Sequence, residues 1–435
     1  MRLYMNKEIL RLAIPNIASN ISVPMLSAVD LILMGHLSTA KHLGAVAIGG
    51  IIFSVIDWGF GFLRMSSTGM VAQAYGAGNS ERCLSILKVA LLFAFTSSIF
   101  LVVFFPIIAE ISFQLIEASS EVEQLAKVYF RICILAAPAT LALRAFHGWF
   151  LGLQNAQYPM ILAITVNSLN IVLNVLFVKV FQMKSDGVAL GTAYAQYFGL
   201  FLAVALFLYR YHKFLRNTSS LMTLDLSLLS QFSIISRDIF IRTLCLVSSH
   251  AFFTSKSALI GDTILAANAI LLQLITFVAY AVDGFAFATE SLVGKYKGAH
   301  DHINLKLAVK CAFLWAYIFG CFFSLTFLIA GENILRLFTN QEGIITQASP
   351  YMIWIVLAPI INIAPYIWDG VFLGATAAQT MRNAMVFSTL CIFLPSYYIF
   401  IPHGNHGLWF SLTLLNIARG ASLSLLAPKH IFKNH

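Results

Sequence analysis

The chain has 435 residues, of which 59% are hydrophobic and only 10% charged, with a mean hydropathy of +0.84. An ordinary globular domain carries about 25% charged residues, so this composition excludes a water-soluble fold and points to a polytopic membrane protein. The formal net charge of +9, from 27 Lys+Arg against 18 Asp+Glu, is scattered between apolar runs. It does not gather into the aromatic-interleaved stripe of a nucleic-acid binder, and no nucleic-acid partner is expected.

The N-terminal MRLYMNKEILR runs into an apolar segment holding Pro15, Asn16 and Asn20 without an A-x-A cleavage site, which reads as a retained first span and not a removed signal. A bilayer-crossing helix needs about 20 predominantly apolar residues, and lipid admits only helices or closed barrels. Twelve runs too long for barrel strands follow in order, near 8–34, 45–74, 84–112, 125–153, 158–181, 187–210, 229–256, 264–294, 305–331, 347–373, 380–401 and 406–427. Turn chemistry breaks them at YGAGNSERC, QNAQYP, KSDG and IPHGNHG. With both termini inside, fifteen Lys and Arg fall on the cytoplasmic side against five outside, a positive-inside bias that favours this orientation. The cysteines, Cys83, Cys133, Cys245, Cys311, Cys321 and Cys391, stand singly. They support neither disulfides nor zinc, and neither metal nor cofactor is expected.

Self-comparison reveals an internal repeat. LGAVAIGG from Leu43 matches LAANAILL from Leu265, and the same 222-residue offset pairs Val71 with Val293, Gly76 with Gly298, Tyr129 with Tyr351, Gly148 with Gly370, Gly152 with Gly374 and Gln157 with Gln379. Six spans per copy start both copies on the same membrane side, so the repeats are parallel. The expected architecture is all-α, twelve transmembrane helices in two six-helix bundles around a central cleft, with lobes 1–217 and 218–435 joined by the polar segment 209–228.

An ionisable group inside a span costs roughly 2.5–3.5 kcal/mol at mid-helix, so each is a functional candidate. At 100° per residue, Asn16, Asn20, Ser27 and Asp30 share one face of span one, with Pro24 between them permitting a kink. Asp30 reads as a carboxylate placed to couple proton occupancy to helix bending, or as a structural acid capped by its Asn and Ser neighbours. Asn167, Asn170 and Asn174 form one face of span five, fit to bind substrate, order water or join helices. Asp57 and Arg64 in span two, and Asp283 and Glu290 in span eight, are seven residues apart, about 10 Å along the axis and too far for a direct bridge. Asp369 in span ten stands at the repeat position of His147, either as a titratable pair of coupling groups or in a structural bridge to Arg144 or Arg242. No G-x-S-x-G, H-E-x-x-H or Walker A occurs, so no enzyme is expected and an ion gradient must drive any pump.

The span-one pattern P-N-x-x-x-N-x-x-x-P-x-x-x-x-V-D, FLRMSSTGMVAQAYGAGN, AYAVDGFAFATESLVGKYKGAHD and YIWDGVFLGAT resemble the multidrug and toxic compound extrusion (MATE) transporters, most of all the branch of DNA-damage-inducible protein F. The resemblance spans essentially the whole chain. It implies a two-lobed antiporter that exports cationic or amphipathic organic compounds against H+ or Na+. The family's span-one coupling carboxylate maps onto Asp30. A second acid that many relatives carry in span five is replaced by Asn174. The span-ten acid of sodium-coupled relatives maps onto Asp369, but its span-seven companion has no counterpart, since that span offers His250 and Lys256.

The expected function is therefore a proton-coupled multidrug exporter working by alternating access through Asp30. Asn20, Ser27, Arg64, Asn167, Asn170 and Asn174 are its substrate or cavity residues, and Asp283, Glu290, Asp369 and His147 the secondary candidates. It would work as a monomer in the bilayer of a bacterial inner membrane. The alternatives are Na+ coupling, a lipid-linked precursor flippase, which would want more cavity Arg and Lys than Arg64, Arg144 and Arg242, and an intramembrane enzyme.

Overall fold

A computed structural model describes residues 2–35, 40–114, 119–216 and 225–432, apart from the side chains of residues 25, 27, 28, 30–35, 40 and 216. Among these the chain is helical throughout, with no strand. Span one is α1 (Arg2–Gly35), span two is α2 (Ala40–Gly59) with α3 (Phe62–Gly76), and span three is α4 (Ser80–Val103) with α5 (Phe105–Gln114). Span four is α6 (Ser120–Leu135) with α7 (Ala137–Gly152), span five is α8 (Gln157–Val175) closed by a π-turn over Leu176–Val180, and span six is α9 (Ser185–Arg216). Spans seven to nine are α10 (Leu226–Ile260), α11 (Asp262–Gly298) and α12 (His302–Phe338). Span ten is built from α13 (Glu342–Ala348), α14 (Met352–Ile361) and α15 (Ile363–Gly374), span eleven from α16 (Ala378–Phe387) and α17 (Leu394–Phe400), and span twelve is α18 (Gly404–His430).

Eight of these helical runs are long and apolar enough to cross a membrane, and the α6–α7 pair, bent by 49°, makes a ninth. The run Ala378–His430 holds two expected spans, because the chain reverses at Gly404, whose φ is +56°. α10 is more polar, carrying Arg237, Asp238, Arg242 and Lys256. The α6–α7 bend has a covalent cause: Pro138 stands in the first turn of α7, where it can donate no N–H to the preceding turn.

The 222-residue register reappears in backbone geometry. Gly78 and His300, Gln154 and Thr376, and Gln182 and Gly404 all have positive φ, between 55° and 72°, and each pair is 222 apart. Asn79 caps α4 by accepting from the Arg82 N–H at 2.8 Å, and Asp301 caps α12 by accepting from the Asn304 N–H at 3.0 Å. Four glycines complete the match. A β-carbon on Gly148 would overlap the Arg64 carbonyl oxygen, and one on Gly370 would overlap that of Ala286. Gly374 presses in the same way against the Glu290 carbonyl, and Gly152 against the Val71 side chain with the Thr68 carbonyl at 3.0 Å. In both copies the helix before the turn therefore packs backbone to backbone on its neighbour, α3 on α7 and α11 on α15.

The chain forms two compact units. The first is Ala18–Ser236, and the second is Met1–Ile17 with Arg237–His435. Their edges do not follow chain order: each unit holds the opening turns of the other repeat's leading helix. In the second unit these turns of α1 are anchored by buried Glu8, which accepts from Tyr296 Oη at 2.7 Å and faces Lys295 Nζ at 3.4 Å. In the first unit Trp149 is fully buried and donates to the Cys83 carbonyl at 2.8 Å.

Candidate functional site

In the first unit, α8 turns its amide face inward. Asn170 and Asn174 are 2% and 0% exposed, because lipid offers nothing to an amide. Asn174 Nδ2 donates to Asn170 Oδ1 at 2.7 Å, Asn170 Nδ2 to Thr192 Oγ1 of α9 at 3.0 Å, and Asn167 Nδ2 to Ser22 Oγ of α1 at 2.7 Å. Gly191 makes room for this ladder, since a β-carbon there would overlap Asn174 Oδ1. The amides thus link α1, α8 and α9.

The contact with α1 is made at Ser22, about 120° round the helix from Asn16 at 100° per residue, so it lies off the face that carries Asn20. The sequence pattern had not singled out Ser22 or Thr192, because a lone hydroxyl in a helix ordinarily returns its hydrogen bond to its own backbone. Both do so here, Ser22 to the Ser19 carbonyl at 2.6 Å and Thr192 to that of Val188 at 3.0 Å, while their oxygens accept from the amides. Asn20 is partly buried on α1. The side chains of Asp30 and Ser27 lie outside the described residues.

The charged candidates of this unit separate. Asp57 of α2 is bound by Arg144 of α7 in a two-point ion pair. Arg64 is half-buried in α3. His147 follows on α7 near both arginines, with its Nε2 enclosed and lacking a hydrogen-bond partner among the described residues.

In the second unit the corresponding position is charged. Asp369 Oδ2 accepts from Arg242 of α10 and, at 2.8 Å, from Arg419 of α18. All three are buried, 7%, 8% and 2% exposed, and Arg419 also donates to Asn416 Oδ1 at 3.1 Å. One carboxylate oxygen is thus shared by two guanidiniums, and Asp283 lies in the same neighbourhood, since it and these three groups all act on Tyr366. Arg419 was legible as an arginine in the middle of span twelve, where a charge demands a partner. Glu290 is fully buried on α11, and Asp283 lies two turns before it in the neighbourhood of Tyr280 and Tyr366.

A second polar centre of this unit has no obvious sequence signature. Asn268 donates to Ser257 Oγ and Asn405 Oδ1, both at 2.7 Å, and accepts from Trp409 Nε1 at 2.9 Å. A cavity of about 170 Å³ opens beside it, lined by Thr254, Ser257, Gln273 and Thr276 among others. Among the described residues no group of three or more His, Cys, Asp or Glu could hold a metal ion.

Comparison with known proteins agrees with this organisation. The MatE family model matches twice, over residues 15–176 and 239–399, once in each repeat. The chain is 37% identical to DNA damage-inducible protein F of Escherichia coli over 98% of its own length and 92% of that protein's. It is 24% identical to multidrug resistance protein NorM of Aliivibrio fischeri over 93% and 91%. Its fold superposes on an outward-facing multidrug resistance MATE family transporter with a TM-score of 0.88 at 19% identity, covering 99% and 97% of the two chains. A eukaryotic MATE transporter gives 0.86 at 17% identity, covering 100% and 97%. With the family model matching both repeats and a relative aligned from end to end, the chain belongs to the MatE family of membrane transporters.

Proposed function

We propose that this transporter is a secondary active exporter of cationic or amphipathic organic compounds, driven by H+ through alternating access, with Asp30 as its coupling carboxylate. The observation that carries the reading is the state of the competing acid. Asp369 Oδ2 is already shared by Arg242 and Arg419, and a carboxylate oxygen engaged by two guanidiniums offers Na+ little coordination. That weighs against a sodium site in the second unit and favours coupling in the first.

There α1 carries Asp30, and α8, which is hydrogen-bonded to α1 at Ser22, carries amides and no acid. An amide both donates and accepts, so it can satisfy a carboxyl in either protonation state. In this reading Asn20, Ser27, Asn167, Asn170, Asn174 and Arg64 shape the cavity, while Asp283, Glu290, Asp369 and His147 are secondary. The two repeats act as its two lobes, and the protein works as a monomer in a bacterial inner membrane with both termini cytoplasmic. The names of its relatives, multidrug and toxin extrusion protein and multidrug resistance protein, support the substrate class.

The test is counterflow in proteoliposomes under imposed pH or Na+ gradients. Without a change of protonation, a pH gradient has no differential free energy with which to favour one conformer. One exchanged proton at a ΔpH of one unit supplies about 1.4 kcal/mol, a tenfold concentration ratio. Asp30→Asn should insert and bind substrate yet lose that ratio. Equal accumulation by wild type and variant would move the coupling site, with Asp283 and Asp369 next in line.

A further inference from the structure

The first unit has a groove between α5 and α6 that neither the amide ladder nor the ion pairs use. Its volume is about 320 Å³, and Glu110 of α5 and Lys127 and Arg131 of α6 open onto it beside Phe105, Pro106 and Val128. Lys127 faces Glu123 at 2.6 Å. Glu110 and Arg131 are exposed and have no hydrogen bond or ion pair with any described residue, although they share the groove. The surrounding surface is greasy: Phe104, Ile107, Ile111, Val128 and Leu135 are 41–57% exposed.

Arg131 lies eleven residues beyond the first residue of α6, about 16 Å along the axis. An unpaired guanidinium at that depth on a lipid-facing helix is costly. Side chains lean towards their helix N-terminus, so Lys127 and Arg131 both extend to the same end of α6, where a membrane interface would meet them. Arg131 calls for an anion, with the Glu123-paired Lys127 as a second cation beside it, and Glu110 calls for a cation with N–H groups to donate. A simple anion meets only the first demand. An aminophospholipid carries phosphate and ammonium on one headgroup, and acyl chains that suit the exposed Ile107, Ile111 and Leu135.

We propose that the α5–α6 groove is a binding site for phosphatidylethanolamine, its phosphate held by Arg131 and Lys127 and its ammonium by Glu110. The site is separate from coupling at Asp30 and does not depend on it. The test is native mass spectrometry of the full-length protein in detergent, titrated with phosphatidylethanolamine, phosphatidylcholine and phosphatidylglycerol of identical chains. Wild type should retain phosphatidylethanolamine best, because choline has no N–H for Glu110 and glycerol no cation. Glu110→Gln should lose about tenfold in that preference, and Arg131→Gln should weaken all three lipids by a similar factor, the scale of one charge-assisted hydrogen bond. Arg131→Lys should recover most of the phosphate contact. Equal retention of the three lipids by wild type, or unchanged phosphatidylethanolamine binding in both Glu110→Gln and Arg131→Gln, would overturn the site.

Discussion

Asp369 and Asp57 are both mid-span carboxylates paired to arginine, yet their surroundings give them different weights. Asp369 and its partners Arg242 and Arg419 are buried, whereas the side chains of Asp57 and Arg144 are 23% and 27% exposed. Removing one member of a buried ion cluster strands the others, at a cost of about 3–5 kcal/mol. Removing Asp57 strands a single, less enclosed arginine, whereas removing Asp369 strands two. Asp369→Asn should therefore lower the thermal unfolding temperature in detergent far more than Asp57→Asn. Equal shifts for the two variants would mean that Asp369 is not the charge that keeps Arg242 and Arg419 inside.

At the scale of elements, the repeat makes paired predictions. Gly148 and Gly370 sit where a β-carbon would overlap a backbone carbonyl, while Gly50 on α2 has nothing within 4 Å. Overpacking that backbone cannot relieve costs about 1–3 kcal/mol, so Gly148→Ala and Gly370→Ala should each destabilise, as read by thermal unfolding. Gly50→Ala should be neutral or slightly stabilising, by about 0.5–1 kcal/mol at most.

The helix caps give a second pair. Replacing either Asn79 or Asp301 by Ala should cost about 1 kcal/mol, but only one loss should depend on pH. The Asn304 backbone N–H, and then its side-chain amide, hold the Asp301 carboxyl below its ordinary value. A lowered folded value means that the contribution is complete above the unfolded value, about 3.9, and disappears as pH falls through the folded one. Unfolding curves from about pH 7 to pH 3 should show the Asp301→Ala deficit shrinking at the acid end, and the Asn79→Ala deficit constant.

For the whole molecule, the composition of the second unit matters most. It includes Met1–Ile17, and these turns supply Glu8 to Tyr296 and Lys295, and Asn6 to Trp315 at 3.3 Å. A fragment 218–435 made alone would leave the Glu8 partners on α11 without their acid. It should accumulate poorly in membranes and be rescued by co-expression of 1–217. Rescue should fail when the 1–217 fragment carries Glu8→Ala together with Asn6→Ala. Full accumulation of 218–435 alone would show that the opening turns of α1 add nothing to its stability.

The sequence by itself determined the membrane class, the helical runs, the 222-residue register and the need for partners at Asp369, Asn170 and Asn174. Each of these follows from local composition or from the cost of a polar group in lipid, and neither requires knowing which helices touch. Asn170 and Asn174 could be placed on one helical face, but Thr192 and Ser22 could not be named as their neighbours. Asp369 could be given Arg242 or Arg144, but not Arg419, which lies fifty residues away along the chain on α18. The exchange of opening turns between repeats, the α5–α6 groove and the Asn268 network were decided only by tertiary structure. Periodicity gives the direction in which a side chain leaves its helix, whereas the identity of its partner depends on how that helix packs against helices distant in sequence.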